Sequence, residues 1–215
     1  MYVPASFAMD DAAVRALLVH HGAADLVTAT ADGLVATMLP FVLDPSVGDR
    51  GALLGHVARN NSQWRLPVLG EALAIVRGSD AYVSPSWYAS KAEHGRVVPT
   101  WNYVTAHVYG RLVVHDDAAW VEDVVRRLTT KHEATLPHPW SVDDAPPRYV
   151  TGQLRAIVGV ELQVTRIEAK AKLSQNRSAA DVDGVVAGLA EQGHPAASAA
   201  VASAAQRRSH GRPGG

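Results

Sequence analysis

The stretch at residues 24–45, ADLVTATADGLVATMLPFVLDP, decides the fold. On either side of Ala31-Asp32-Gly33 the residues alternate with a period of two, the spacing at which successive side chains point to opposite faces of a strand. The stretch reads as two strands, 25–30 and 34–43. The tight turn between them is too short for a crossover, so the strands must pair antiparallel.

Working outward, DDAAVRALLVHHG (residues 10–22) puts Val14, Leu17 and Leu18 on one helical face. Asp10 or Asp11 is placed to cap its start and Gly22 to stop it in a left-handed conformation. Downstream, GALLGHVARNNSQWR predicts a third strand ending near Arg59, with Asn60 or Asn61 capping a short helix around Trp64. EALAIVRGSD and AYVSPSW read as two strands broken by Gly78-Ser79-Asp80, and TWNYVTAHVYGRLVVHD as one long strand rich in β-branched and aromatic residues. Six strands at short spacing with almost no helix between them predict a mainly β protein with peripheral helices (α+β), built on a closed or nearly closed antiparallel barrel.

A helix follows in DDAAWVEDVVRRLTTKHEA, with Trp120, Val124, Val125 and Leu128 at helical spacing. A short helix at 147–156 and a seventh strand at 157–172 come next. From Ser178 onward there are eleven alanines and no aromatic. Here a helix is expected at 179–192, another near Ala199, and a disordered Arg/Gly/Pro end. The organisation expected is one domain over 1–177, with inserted and flanking helices, and a helical extension over 178–215.

Composition narrows the function. The chain has 215 residues, 47% of them hydrophobic and 19% charged, and no run approaches the roughly twenty apolar residues that span a bilayer. The first residues lack the basic and apolar segments of a secretory signal, so a cytoplasmic protein is expected. Without cysteine there is no disulfide, thiolate nucleophile or cysteine metal site. A formal charge of −1 gives direct DNA binding little support. Dinucleotide and P-loop glycine motifs are absent, and neither His20-His21 nor Lys131-His132-Glu133 has the spacing of a metal site.

Five of the chain's few aromatics, Tyr82, Trp87, Tyr88, Trp101 and Tyr103, fall within residues 82–103 among hydroxyls and cations. Four polar clusters stand at strand ends: GHVARNNSQW, SPSWYASKAEHGR, VPTWNY and AKAKLSQNR. Together they offer cations and hydroxyls for a phosphate, amides for a heterocycle's edge and aromatic faces for stacking, the chemistry that FMN needs. Each cluster also has a structural reading. SPSWY could kink an edge strand over the core, NNSQWR could cap a helix with an anchoring Trp, and KLSQNR could start one. His56, on an apolar strand, could be a satisfied core histidine.

These stretches, with the opening MYVPASF and the strings HVYGRL and LRAIVGVEL, resemble the PaiB-like family of FMN-binding negative transcriptional regulators, in family order across nearly the whole chain. The resemblance implies an FMN-binding split barrel, a homodimer, and cofactor pockets at the subunit interface. Its motif positions imply His56, Arg59 and Asn60; Ser86, Trp87, Tyr88 and Lys91; Thr100, Trp101 and Asn102; and Lys172, Ser174, Gln175, Asn176 and Arg177 as cofactor-binding residues. Of these, Lys91, Lys172 or Arg177 would balance the phosphate and Trp87 or Trp101 would pack on the ring. The family pattern has Pro where this chain has Ser62 and Trp where it has Ala171, which removes a large side chain beside the implied site. A related branch carries haem, and some of its members cyclise a hydroxylated ornithine to piperazate. There His56 would be the axial ligand.

Overall fold

The computed structural model describes residues 1–210. Among them, in chain order, lie α1 (Asp11–His20), β1 (Ala24–Thr30), β2 (Gly33–Leu39), β3 (Val42–Asp44), β4 (Ala52–Ala58), β5 (Ala72–Val83), α2 (Ser90–His94), β6 (Thr100–His115), α3 (Ala118–Glu133), α4 (Pro147–Leu154), β7 (Ile157–Lys172), α5 (Ala179–Glu191) and α6 (Pro195–His210). The seven strands form one sheet in the order β2-β1-β5-β6-β7-β4-β3, open between β2 and β3, and β1–β2, β1–β5, β3–β4 and β4–β7 pair antiparallel. The antiparallel sheet with peripheral helices is what the strand pattern predicts, and its open form is the split barrel that the family resemblance implies. No helix among the described residues is long and apolar enough to cross a membrane. The expected disordered end lies outside the described residues.

Three local expectations are corrected. β2 stops at Leu39, because Pro40 has no N–H to give the ladder, and Val42–Asp44 instead pairs with β4 through Val42↔Leu54. Gly78-Ser79-Asp80 does not break a strand; β5 runs through it, held by its place inside the sheet. Gly22 is not left-handed: α1 ends at His20, and the ring Nδ1 of His21 meets the Leu18 carbonyl at 2.6 Å.

The chain divides into two compact units. The first comprises Met1–Val14, Arg77–Ala106 and the residues from Ala169; the second comprises Arg15–Val76 and His107–Glu168. In the second, the β1–β2 turn is closed by the Thr30 hydroxyl, which donates to the Gly33 carbonyl at 2.9 Å and accepts from the Asp32 N–H at 3.2 Å. Gly33 has φ +114°, a conformation that L side chains rarely adopt. Asp117 caps α3 by accepting from the Trp120 N–H at 2.8 Å, and the helix buries Val124 and Leu128 against Ala52 and Leu54 of β4. Arg127 pairs with Asp44 at 2.8 Å, and Lys131 donates to the Phe41 carbonyl at 2.8 Å, fixing α3 to the segment around β3.

In the first unit, α5 and α6 bury Val182, Val185, Leu189, Ala197, Val201 and Ala204 on Ala81, Val83, Tyr88 and Leu173. Each fully buried Val or Leu here contributes about 1.5–3 kcal/mol. The small alanines let the two helices approach closely. The Ser178 hydroxyl caps α5 by accepting from the Asp181 N–H at 3.2 Å. At the N-terminal end, the buried Lys170 ammonium lies 5.4–6.0 Å from the rings of Tyr2, Phe7 and Tyr103, within cation–π range.

Candidate functional site

The first unit holds twelve of the fifteen candidates, on the loop after β5 and α2, the start of β6, and the end of β7 with the loop that follows it. Ser84 opens the loop by accepting from the Ser86 N–H at 3.2 Å, with Pro85 starting a single 3-10 turn over Pro85–Trp87. Ser90 then begins α2, held by Asp181. That buried carboxylate accepts from the Ser90 N–H and hydroxyl, both at 2.9 Å. Burial alone would raise its pKa, but the Ser90 bonds and the Arg177 charge outweigh it and hold the carboxyl below its ordinary value.

Two ammonium groups on this surface are paired with hydroxyls. Lys91 donates to the Ser86 hydroxyl at 3.1 Å, and Lys172 donates to the Thr100 hydroxyl across β6 and β7. Neither has a carboxylate partner among the described residues. The Arg177 guanidinium lies 4.5 Å from the centre of the Tyr88 ring. Burial pushes the Tyr88 hydroxyl pKa up, against the opposing Arg177 charge.

The remaining candidates of this unit are mostly engaged with the protein itself. Trp87 is clasped by α5: a Cβ at Gly188 would come within 2.4 Å of its ring, and one at Gly184 within 1.9 Å of its carbonyl oxygen. Asn102, fully buried, donates to the Ser174 hydroxyl at 3.0 Å. Ser174 is left-handed at φ +64°, uncommon for a residue with a side chain. Gln175 accepts from the Leu173 N–H at 2.7 Å and donates to the Ala171 carbonyl at 2.5 Å, so it shapes the loop. Asn176 is exposed. Trp101 is half exposed, donates to Asp80 at 2.9 Å and meets the Tyr82 ring edge-on at 6.3 Å. Ala171, where the family pattern has Trp, packs against the α5–α6 core.

His56, Arg59 and Asn60 belong to the second unit. Arg59 grips Asp116 through both terminal nitrogens, at 2.5 and 3.0 Å, and also donates to the carbonyls of Arg155 and Ile157. This bidentate pair lowers the Asp116 pKa and raises that of Arg59. Asn60 is exposed, while Asn61 caps the turn at Ser62–Arg65 by accepting from the Gln63 N–H at 2.8 Å. His56 lines a cleft of about 330 Å³ between β4 and α3. Burial lowers its pKa, so the ring is neutral near neutral pH, and neither nitrogen has a hydrogen-bond partner among the described residues.

Sequence reasoning missed three features. The Gly184/Gly188 seat for Trp87 was legible as two glycines four apart on one helix face. The Asp181 clamp on Ser90 spans ninety-one residues and leaves no local signal. His115, stacked on Trp120 at 3.9 Å and bonded to the buried Glu161 at 2.6 Å, likewise depends on β6 lying beside β7. Among the described residues no group of three or more His, Asp or Glu could hold a metal ion.

Comparisons with known proteins bear on the family and the fold. The chain is 32% identical over 197 residues to the protease synthase and sporulation protein PAI 2 of Bacillus subtilis, covering 91% of this chain and 92% of that one. Its fold is similar to the conserved hypothetical protein Rv2991 of Mycobacterium tuberculosis (TM-score 0.56, 11% identity, 83% and 94% of the two chains). It is also similar to the flavocytochrome Anf3 of Azotobacter vinelandii (TM-score 0.51, 15% identity, 75% and 67%). Residues 1–166 match the family described as "Putative FMN-binding domain", and the chain belongs to that family, the PaiB-like one to which its motifs point.

Proposed function

We propose that the protein binds FMN through the first unit, with Lys172 and Thr100 holding the phosphate and Lys91 with Ser86 adding a second cation and hydroxyl. The observation that carries this reading is the pair of ammonium–hydroxyl contacts, neither of which has a carboxylate partner among the described residues. An ammonium beside a hydroxyl presents the donor set a phosphate dianion takes, and an adjacent carboxylate would cancel it. The half-exposed Trp101, held by Asp80, offers an aromatic face to the isoalloxazine, whereas Trp87 is committed to α5. Bound FMN supplies one- and two-electron transfer, so the reading extends to a flavin-dependent redox protein. The protein's own groups fix the phosphate and cover one face of the ring.

The outward row Leu34, Ala36 and Met38 on β2 supports self-association, since Leu34 and Met38 are 77% and 72% exposed. An FMN titration followed by visible absorbance tests the main reading: Lys172→Ala should weaken binding about tenfold or more, the worth of one charge-assisted contact. Unchanged affinity in both Lys172→Ala and Lys91→Ala refutes the phosphate assignment. Haem is the second reading, favoured by the neutral imidazole of His56, which has no hydrogen-bond partner among the described residues, in its cleft. A Soret band that develops with haemin and is lost in His56→Ala would support it; full haem loading by that variant would end it.

A further inference from the structure

The flavin reading leaves a polar cluster of the second unit unused. Along α3 the His56 cleft adjoins a second one of about 340 Å³, and the two share Thr129, Glu133 and Trp140 as walls. Together they fall in the size range of small-molecule sites. Pro40, Val125 and Leu128 make one end apolar.

Three polar features converge on this groove. Glu133 accepts from the Trp140 N–H at 2.8 Å, which fixes the carboxylate and the indole-bearing loop against each other. No Lys or Arg among the described residues pairs with Glu133. Arg126, in the adjoining cleft, is taken by Glu122 and Asp143, each at 2.8 Å, and Lys131 by the Phe41 carbonyl. His56 lines the cleft with ring nitrogens that have no hydrogen-bond partner among the described residues, and Trp140 is 47% exposed. A carboxylate that no Lys or Arg among the described residues pairs, the His56 ring beside it and an open indole face together suit one chemistry, a cation that also donates hydrogen bonds.

We propose that this groove binds a small aromatic amine, its ring against Pro40, Val125 and Leu128 and its ammonium donating to Glu133 and His56 beside the Trp140 indole. An anion is disfavoured by Glu133, and an aliphatic cation would leave the apolar end unfilled. The site does not depend on flavin.

The test is a ligand-observed NMR titration of the full chain with benzylamine and, as controls, benzoate, a ring-bearing anion of similar size, and methylamine, a cation without the ring. Benzylamine should bind saturably while the two controls do not. Glu133→Gln and His56→Leu should each weaken it about tenfold, the worth of a hydrogen bond to a charged group. Circular dichroism would establish that both variants fold, and Trp140→Phe provides a third, conservative check on the ring contact. Saturation by benzoate as strong as by benzylamine overturns the proposal, as does benzylamine binding unmoved by both variants or absent altogether. A parallel FMN titration separates the two readings, because Glu133→Gln should leave FMN affinity unchanged.

Discussion

Gly188→Ala pits helix propensity against packing. In an open helix the change should stabilise by about 0.8–1 kcal/mol, since alanine restricts the unfolded chain and suits the helix. At Gly188 the new methyl would lie 2.4, 2.5 and 2.6 Å from Trp87 ring atoms, well inside contact distance. The indole cannot swing away cheaply, because Gly184 seats the Trp87 carbonyl on the same helix. Overpacking of this kind costs about 1–3 kcal/mol, so the net sign reverses to destabilisation. Gly152→Ala in α4, whose added methyl meets no described residue beyond its own helical backbone within 4 Å, is the matched control and should stabilise. Urea unfolding of both variants reads the difference, and the near-ultraviolet dichroism of Trp87 should change only at Gly188. A stabilised Gly188→Ala protein with an unchanged aromatic spectrum would refute the clasp.

Other outcomes follow from the same geometry. Asp44 is held at about 2, below its ordinary 3.8, first by the Ser46 hydroxyl and N–H and then by Arg127. Its folded pKa lies below the unfolded one, so its contribution of about 2 kcal/mol is present above pH 4 and lost as the pH falls toward 2. Urea unfolding should therefore show a shallower acid loss in Asp44→Asn, and an acid slope identical to wild type would contradict this. Asn102→Ala strips the buried Ser174 hydroxyl of its partner and should cost about 1–3 kcal/mol in chemical denaturation; a change too small to measure would show that the pair contributes nothing. Replacing Leu34 and Met38 by Glu should lower the mass measured by light scattering to that of a monomer, while an unchanged mass would remove that face from any self-contact.

Legibility in the sequence tracked the range of the interactions. The β1–β2 hairpin, β6, β7, α3 and α5 were readable because alternation, helical spacing and caps such as Asp117 act within a few residues. Gly78-Ser79-Asp80 misled because its weak strand propensity is overridden by the place of β5 in the sheet, beside β6. The alanine-rich segment gave its helices but not their burial, which comes from small residues fitting against Ala81, Val83 and Leu173. At the proposed site, residue types singled out the loops after β5 and β7 and could not assign tasks within them. Lys172 and Lys91 stand beside hydroxyls, whereas Gln175 and Arg59 are spent on backbone and carboxylate partners far away in sequence or hidden in a turn.

A visible-absorbance titration of the purified protein with FMN, repeated with riboflavin, which lacks the phosphate, addresses the phosphate site most directly. Saturable FMN binding with riboflavin weaker by about tenfold or more is expected, and the gap should shrink in Lys172→Ala. Equal affinity for the two flavins, or no uptake of either, would contradict a phosphate held by Lys172 and Thr100.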